Sequence, residues 1–116
     1  MALVVRAFPV LAGKEQEVRD FARELTGART VEAAEFYRVF GVSRESWHLQ
    51  ETVAGPLVIV VTEVDEIEPV ATAYAASQRP FDRWFKDQVH RLTGVSPDSD
   101  PLGPPTEQIF DWRRPG

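Results

Sequence analysis

One stretch stands out from the rest of the chain: LVIVVTEV, residues Leu57 to Val64, which directly follows Gly55 and Pro56. Its first five residues are all apolar, and four of them are β-branched. An unbroken apolar run favours a strand buried on both faces, because a surface strand would alternate apolar with polar residues. We therefore expect a central strand here, with strand neighbours at its edges and helices or a second sheet over its faces.

The overall composition narrows the class of protein. The chain has 116 residues, a net charge of -5 and no cysteine. This length suits a single domain, residues 1–116, with a sizeable core. An acidic balance argues against a nucleic-acid partner, because phosphate binding depends on clustered Lys and Arg. The absence of cysteine suits the reducing cytoplasm, and no apolar run approaches the roughly 20 residues of a spanning helix. We expect a soluble cytoplasmic protein with no nucleic-acid or membrane partner.

Three further segments alternate in the manner of strands. Leu3 to Phe8 comes first, and Pro9 closes it. Glu45 to Val53 comes next, and a short turn joins it to the central strand, which predicts an antiparallel hairpin. Glu107 to Arg113 follows a proline-rich connector and is predicted as the last strand.

Helical periodicity marks four segments between these strands. They run from Lys14 to Leu25, from Thr30 to Phe40, from about Pro69 to Gln78, and from Pro80 to Leu92. The last segment carries an aromatic stripe opposite a charged face. We expect that charged face to be solvated, and it carries Arg83, Lys86, Asp87, His90 and Arg91. Asp82 and Lys86, and likewise Asp87 and Arg91, have the i, i+4 spacing of ion pairs.

The order of these elements predicts the fold class. If each pair of neighbouring helical segments is counted as one helical region, the order is strand, helix, strand, strand, helix, strand. This order is typical of the ferredoxin-like βαββαβ fold, an α+β architecture with a four-stranded antiparallel sheet and helices on one face. In it the first and third strands lie centrally, which suits Leu57 to Val64. The uncovered sheet face would carry apolar side chains, so we expect a homodimer that packs sheet against sheet.

This element order resembles the dimeric α+β barrel superfamily of small bacterial proteins over nearly the whole chain. The run Pro80 to Lys86, followed by Leu92 to Val95, also resembles one of its groups of unknown function. Members include cofactor-independent monooxygenases, haem-degrading enzymes, dye-decolourising peroxidases, muconolactone-isomerase-like enzymes and stress-response proteins. The resemblance implies the fold and a homodimer, but it does not indicate which of these activities the chain has. It also assigns no role to His48 or His90.

Three polar residues are candidates for a catalytic role. His48 lies on a polar strand face, where a histidine can act as an acid or base or contact a ligand, or it is a plain surface residue. Tyr37 either offers its hydroxyl to a site or belongs to the core with its oxygen at the rim. Arg6 lies in mid-strand, where it reaches solvent, pairs with a residue such as Glu63, or holds a ligand. Two histidines and no cysteine are too few for a usual metal site, so we expect no metal and no cofactor.

Three functions remain open at this point. We favour binding of a small apolar or aromatic molecule in a cleft between sheet and helices, walled by Tyr37, Trp47, Tyr74, Trp84 and Phe85. The alternatives are a cofactor-independent monooxygenase- or isomerase-like enzyme that uses His48, Tyr37 or Arg6, and a non-catalytic dimerisation domain. The chain has no nucleophile motif, Gly-rich phosphate loop or paired carboxylates, which counts against the enzyme. Convergence of His48 and Tyr37 on one cavity would favour it.

Overall fold

A computed structural model describes all residues, 1–116, as an antiparallel sheet with four helices. The mixed α+β class is confirmed, and so are the four helices and the first three strands. In chain order the elements are β1 (Ala2–Pro9), α1 (Glu15–Thr26), α2 (Thr30–Val39), β2 (Val42–Thr52), β3 (Gly55–Val64), α3 (Ile67–Ala76) and α4 (Pro80–Thr93). No helix combines the length and the hydropathy that crossing a bilayer requires.

The strand order in the sheet is β1-β3-β2, with both pairings antiparallel. The strand predicted to be central, β3, therefore does lie between the other two. Val61 faces Val5 of β1 on one side and Ser46 of β2 on the other. A register shift between Val42 and Arg44 interrupts the β2–β3 pairing near the start of β2.

The fourth strand predicted over Glu107 to Arg113 is not formed, so this chain alone does not have the four-stranded ferredoxin-like order. Just before this segment, a single bridge between Arg6 and Pro105 and a 2.5 Å hydrogen bond from the Thr106 hydroxyl to the carbonyl of Val5 join the chain to β1. If that pairing continued, residue 109 would lie opposite Ala2, the first residue of β1. The residues after 109 would then have no residue of β1 opposite them. As a result β1 is an edge strand, not a central one.

The core lies on one face of the sheet, which we call the helix-covered face. Each helix contributes to a single cluster of buried side chains there, including Phe21 of α1, Phe36 of α2, Tyr74 of α3 and Phe85 of α4. The rings of Phe36 and Phe85 are 4.6 Å apart between centroids. The opposite face, here the open face, has no fully buried residue, and it carries Leu3, Val5 and Ala7 of β1, Ser46, His48 and Gln50 of β2, and Leu57, Ile59 and Val61 of β3.

Two charged residues of α4 are buried, and one of them, Lys86, was predicted to lie on the solvated face. Lys86 is 2% exposed, and its ammonium donates to the carbonyls of Tyr74 (3.1 Å) and Ser77 (2.8 Å) at the end of α3. Asp82 is 1% exposed and accepts from Arg79 Nε at 2.7 Å. The predicted Asp82–Lys86 pair is wrong because this side of α4 packs against the end of α3.

The second ion pair predicted on α4 is also wrong. Arg91 reaches α1 instead of Asp87, with its Nη1 2.6 Å from Glu17 Oε1. Asp87 pairs with Arg83 at 3.4 Å. His90 is exposed, as predicted.

Residues 95–106 form an irregular segment that we call the strap. Asp98 holds its first part, since its carboxylate is 2.8 Å from Lys86 Nζ and 3.2 Å from Arg83 Nη1. Gly103 is buried against the ring of Phe8. The strap thus crosses from the end of α4 back to the outer edge of β1.

Candidate functional site

A cavity of about 130 Å³ lies between the helix-covered face and the helices. Of its 24 lining residues, 19 are hydrophobic, so its walls favour apolar contents. Strand residues such as Val4 and Val60 form the floor, helix residues such as Phe36 and Phe85 form the walls, and Leu102 of the strap closes part of the rim.

One carboxylate faces this apolar space. Glu45 Oε2 accepts hydrogen bonds from the Tyr37 hydroxyl (2.6 Å) and from Trp47 Nε1 (2.9 Å), while Oε1 accepts from the Thr62 hydroxyl (2.8 Å). We call these four residues the Glu45 cluster. A carboxylate in apolar surroundings is costly unless donors satisfy it, and three donors do so here.

The elements explain why these side chains meet. After the register shift near the start of β2, Glu45 and Trp47 turn toward the helices, and Glu45 lies directly opposite Thr62 of β3. Tyr37 comes from α2, where its ring packs edge-on against Phe36 at 5.1 Å. The cluster therefore joins two neighbouring strands to the helix above them.

Burial and then the charge of Glu45 raise the pKa of Tyr37 far above its ordinary value of 10.0. The pKa of Tyr74, which also lines the cavity, is raised mainly by burial. Both hydroxyls therefore stay protonated at any physiological pH. Tyr37 serves as a hydrogen-bond donor to Glu45, and its phenolate is not available as a base.

Arg6 also lines the cavity, from β1. Its Nη1 donates to the carbonyl of Val5 at 3.1 Å, while its Nε is buried and has no hydrogen-bond partner. The predicted pair with Glu63 is not formed, because Arg6 lies opposite Val60 and Glu63 points to the other face of β3. A buried N–H without an acceptor costs free energy, so Arg6 carries an unsatisfied donor next to the cavity.

His48 is separated from these groups. It lies exposed on the open face, with its Nε2 3.0 Å from the Ser46 hydroxyl, and it does not line the cavity. His48 and Tyr37 thus lie on opposite faces of the sheet. The convergence that would have favoured an enzyme built on both residues does not occur.

Four of the five aromatic residues predicted to wall a cleft do line the cavity: Tyr37, Trp47, Tyr74 and Phe85. Trp84 does not. Its ring packs edge-on against Phe21 at 5.4 Å, and the guanidinium of Arg29 stacks over it at 4.0 Å from the ring centroid.

The sequence-based prediction missed Glu45 and Thr62. A signal was present, because Glu45 precedes Trp47 by two residues and therefore shares its strand face. Thr62 shares the inward side of β3 with Val58 and Val60, but its role depends on which residue of β2 lies opposite it.

No family model, curated protein or solved structure matches the chain. No group of three or more His, Cys, Asp or Glu side chains is placed to hold a metal ion. The function is therefore inferred from the geometry of the cavity.

Proposed function

We propose that this protein binds a small aromatic molecule in the cavity between its sheet and its helices. The observation that carries the proposal is a mostly hydrophobic cavity with a single carboxylate already held by three donors. A cavity of roughly 150 Å³ in another protein accommodates benzene, so a volume of about 130 Å³ suits a molecule with one ring.

The polar groups in the wall indicate what such a ring carries. A carboxylate offers about four lone-pair sites, and three hydrogen bonds leave Glu45 with one for a ligand O–H or N–H. Arg6 lines the same cavity, and its unpaired Nε would donate to a ligand oxygen if the side chain turned to expose it. A phenol can donate its hydroxyl hydrogen to Glu45. A phenol that also carries a carbonyl or carboxylate can in addition accept a hydrogen bond from Arg6.

Titration calorimetry with phenol and toluene tests the proposal. We expect both to bind the wild-type protein, phenol more tightly, because only its hydroxyl can donate to Glu45. The Glu45→Gln variant should bind phenol about tenfold more weakly, consistent with loss of a charged hydrogen bond worth about 1.5 kcal/mol. Toluene affinity should change less than twofold.

His48→Ala is the matched control, because this side chain lies on the open face, and it should bind both molecules as the wild type does. Absence of binding by either molecule would contradict the proposal. Equal loss of phenol and toluene binding in Glu45→Gln would contradict the role given to the carboxylate.

A homodimer through the open faces is part of the same proposal. The support is the apolar centre of that face, where Val5, Ile59 and Val61 are only partly buried and no helix of the chain lies above them. Packing two such faces would remove this surface from water. Membership of the dimeric α+β barrel superfamily also remains a proposal, supported by the order of the first three strands and the helices. So does a cytoplasmic location, supported by the absence of cysteine.

A further inference from the structure

The C-terminal segment of residues 107–113, which we call the arm, is exposed throughout. Three of its large apolar side chains are among the most exposed of the molecule: Ile109 (87%), Phe110 (81%) and Trp112 (67%). Single exposed apolar residues are common on proteins, but three within four positions form a patch that favours burial against a partner.

The arm has the residue pattern of a strand and no strand to pair with in its own chain. Gln108, Phe110 and Trp112 alternate with Ile109 and Asp111, a period of two. The outer edge of β1 is already contacted at Arg6 and Val5 by the end of the strap. In that register only the residues up to 109 would lie beside β1, which leaves Phe110 and Trp112 past its end.

The opposite edge of the sheet is free along its whole length. β2 pairs only with β3, and no backbone hydrogen bond within the chain reaches the outer side of Val42–Thr52. Unpaired N–H and C=O groups on a long edge strand are a template for another strand. One chain therefore has both an arm with the residue pattern of a strand but no edge to pair with, and an edge strand, β2, with no partner on its outer side.

We propose that the arm of one copy adds as a fourth strand to the β2 edge of a second copy, and that the exchange is reciprocal. Two identical exchanges related by a two-fold axis would leave neither arm nor β2 edge unpaired. The partner would then supply the strand that the sequence predicts and the single chain lacks. The exchange extends the proposed homodimer and is independent of ligand binding.

Sedimentation equilibrium of the full chain and of a chain ending at Thr106 tests the exchange. The truncation removes only exposed residues, so the core should stay folded, as circular dichroism would verify. We expect the dimer dissociation constant to rise at least tenfold on truncation. A dissociation constant within twofold of the full chain would overturn the exchange and leave the open-face dimer intact. A monomeric full chain at tens of micromolar would overturn both.

Trp112 provides a second readout. In the full chain its emission should shift to shorter wavelength as concentration rises through the dimer dissociation constant, because an exposed indole becomes buried. The Trp112→Phe variant, which keeps Trp47 and Trp84, should lose that shift. A shift that persists unchanged in Trp112→Phe would overturn the proposal, since it would arise from the other two indoles.

Discussion

Gly103 is a residue at which the strap packs tightly against β1. Its φ is +83°, and a Cβ placed on it would lie 2.3 Å from ring atoms of Phe8, well inside van der Waals contact. The backbone at Gly103 is therefore so close to Phe8 that there is no room for a side chain. This contact holds the strap against β1.

We predict that Gly103→Ala lowers the free energy of unfolding by about 2–4 kcal/mol, from the cost of a left-handed alanine plus overpacking. Gly13→Ala is the matched control, because Gly13 has a φ of +77° and open space around it. It should cost only about 1 kcal/mol. Urea denaturation measures both, and equal losses in the two variants would show that the contact with Phe8 carries no strain.

Glu45 shows why polar residues inside an apolar site are difficult to predict. Alternation along β2 places its side chain on the same face as Trp47, but it does not show that three donors from other positions satisfy it. Tyr37 lies eight residues away in α2, and Thr62 lies seventeen away in β3. The favourable placement of this carboxylate depends on packing between elements.

At the scale of elements, the run Pro80 to Lys86 has a structural explanation. Pro80 begins α4, where its missing N–H costs nothing. Phe81 and Phe85 enter the core, while Asp82 and Lys86 contact the end of α3. The local motif that resembles a group of unknown function therefore joins two helices, and neither Asp82 nor Lys86 lines the cavity.

The Lys86→Met variant tests this junction. It removes the donor to the carbonyls of Tyr74, Ala75 and Ser77 and should lower the free energy of unfolding by about 2–4 kcal/mol. The control is Lys14→Met, whose ammonium makes a partly exposed pair with Glu17 and should cost no more than about 0.5 kcal/mol. Thermal or chemical denaturation compares them, and similar losses would contradict a capping role for Lys86.

Acid should weaken the attachment of the strap. Hydrogen bonds from Lys86 and then Arg83 hold the pKa of Asp98 below its ordinary value of 3.8. Because the folded state lowers this pKa, the contribution of Asp98 to stability is complete above pH 3.8 and is lost as the pH falls through the lower, folded-state value.

We therefore predict that the stability difference between wild type and Asp98→Asn is constant above about pH 5 and shrinks below pH 3.8. Urea denaturation over that pH range measures it. Asp100→Asn is the control, because Asp100 makes no ion pair and its substitution should give no such trend. A difference that is independent of pH would show that the carboxylate charge does not hold the strap.

At the scale of the whole molecule, the open face has no helix of the chain packed on it. We predict that Ile59→Lys, at the centre of β3 on that face, raises the dissociation constant of the proposed dimer at least 100-fold, because a lysine buried between two such faces would be left without a counter-charge. Thr72→Lys, exposed on α3, should have no effect. Sedimentation equilibrium compares them, and an equally tight Ile59→Lys dimer would remove the open face from the interface.

The arm and the open face also show how far an order of elements predicts a fold. Three strands and four helices lie close to their predicted positions, because the hydrophobic periodicity of each is a property of its own residues. The fourth segment has the same alternation and forms no strand, since a strand exists only when an edge in the right register is within reach. The strand predicted for this segment was therefore wrong, because alternation does not provide a pairing partner.

The sequence by itself determined the α+β class, the helices and the central position of LVIVVTEV, because hydrophobic spacing is a property of consecutive residues. Only the tertiary structure decided that Glu45 enters an apolar cavity, that Lys86 caps a helix instead of facing water, and that His48 lies apart from Tyr37. The physical reason is that a polar side chain is buried only where donors and acceptors from distant parts of the chain satisfy it, and the spacing of neighbouring residues does not reveal those partners.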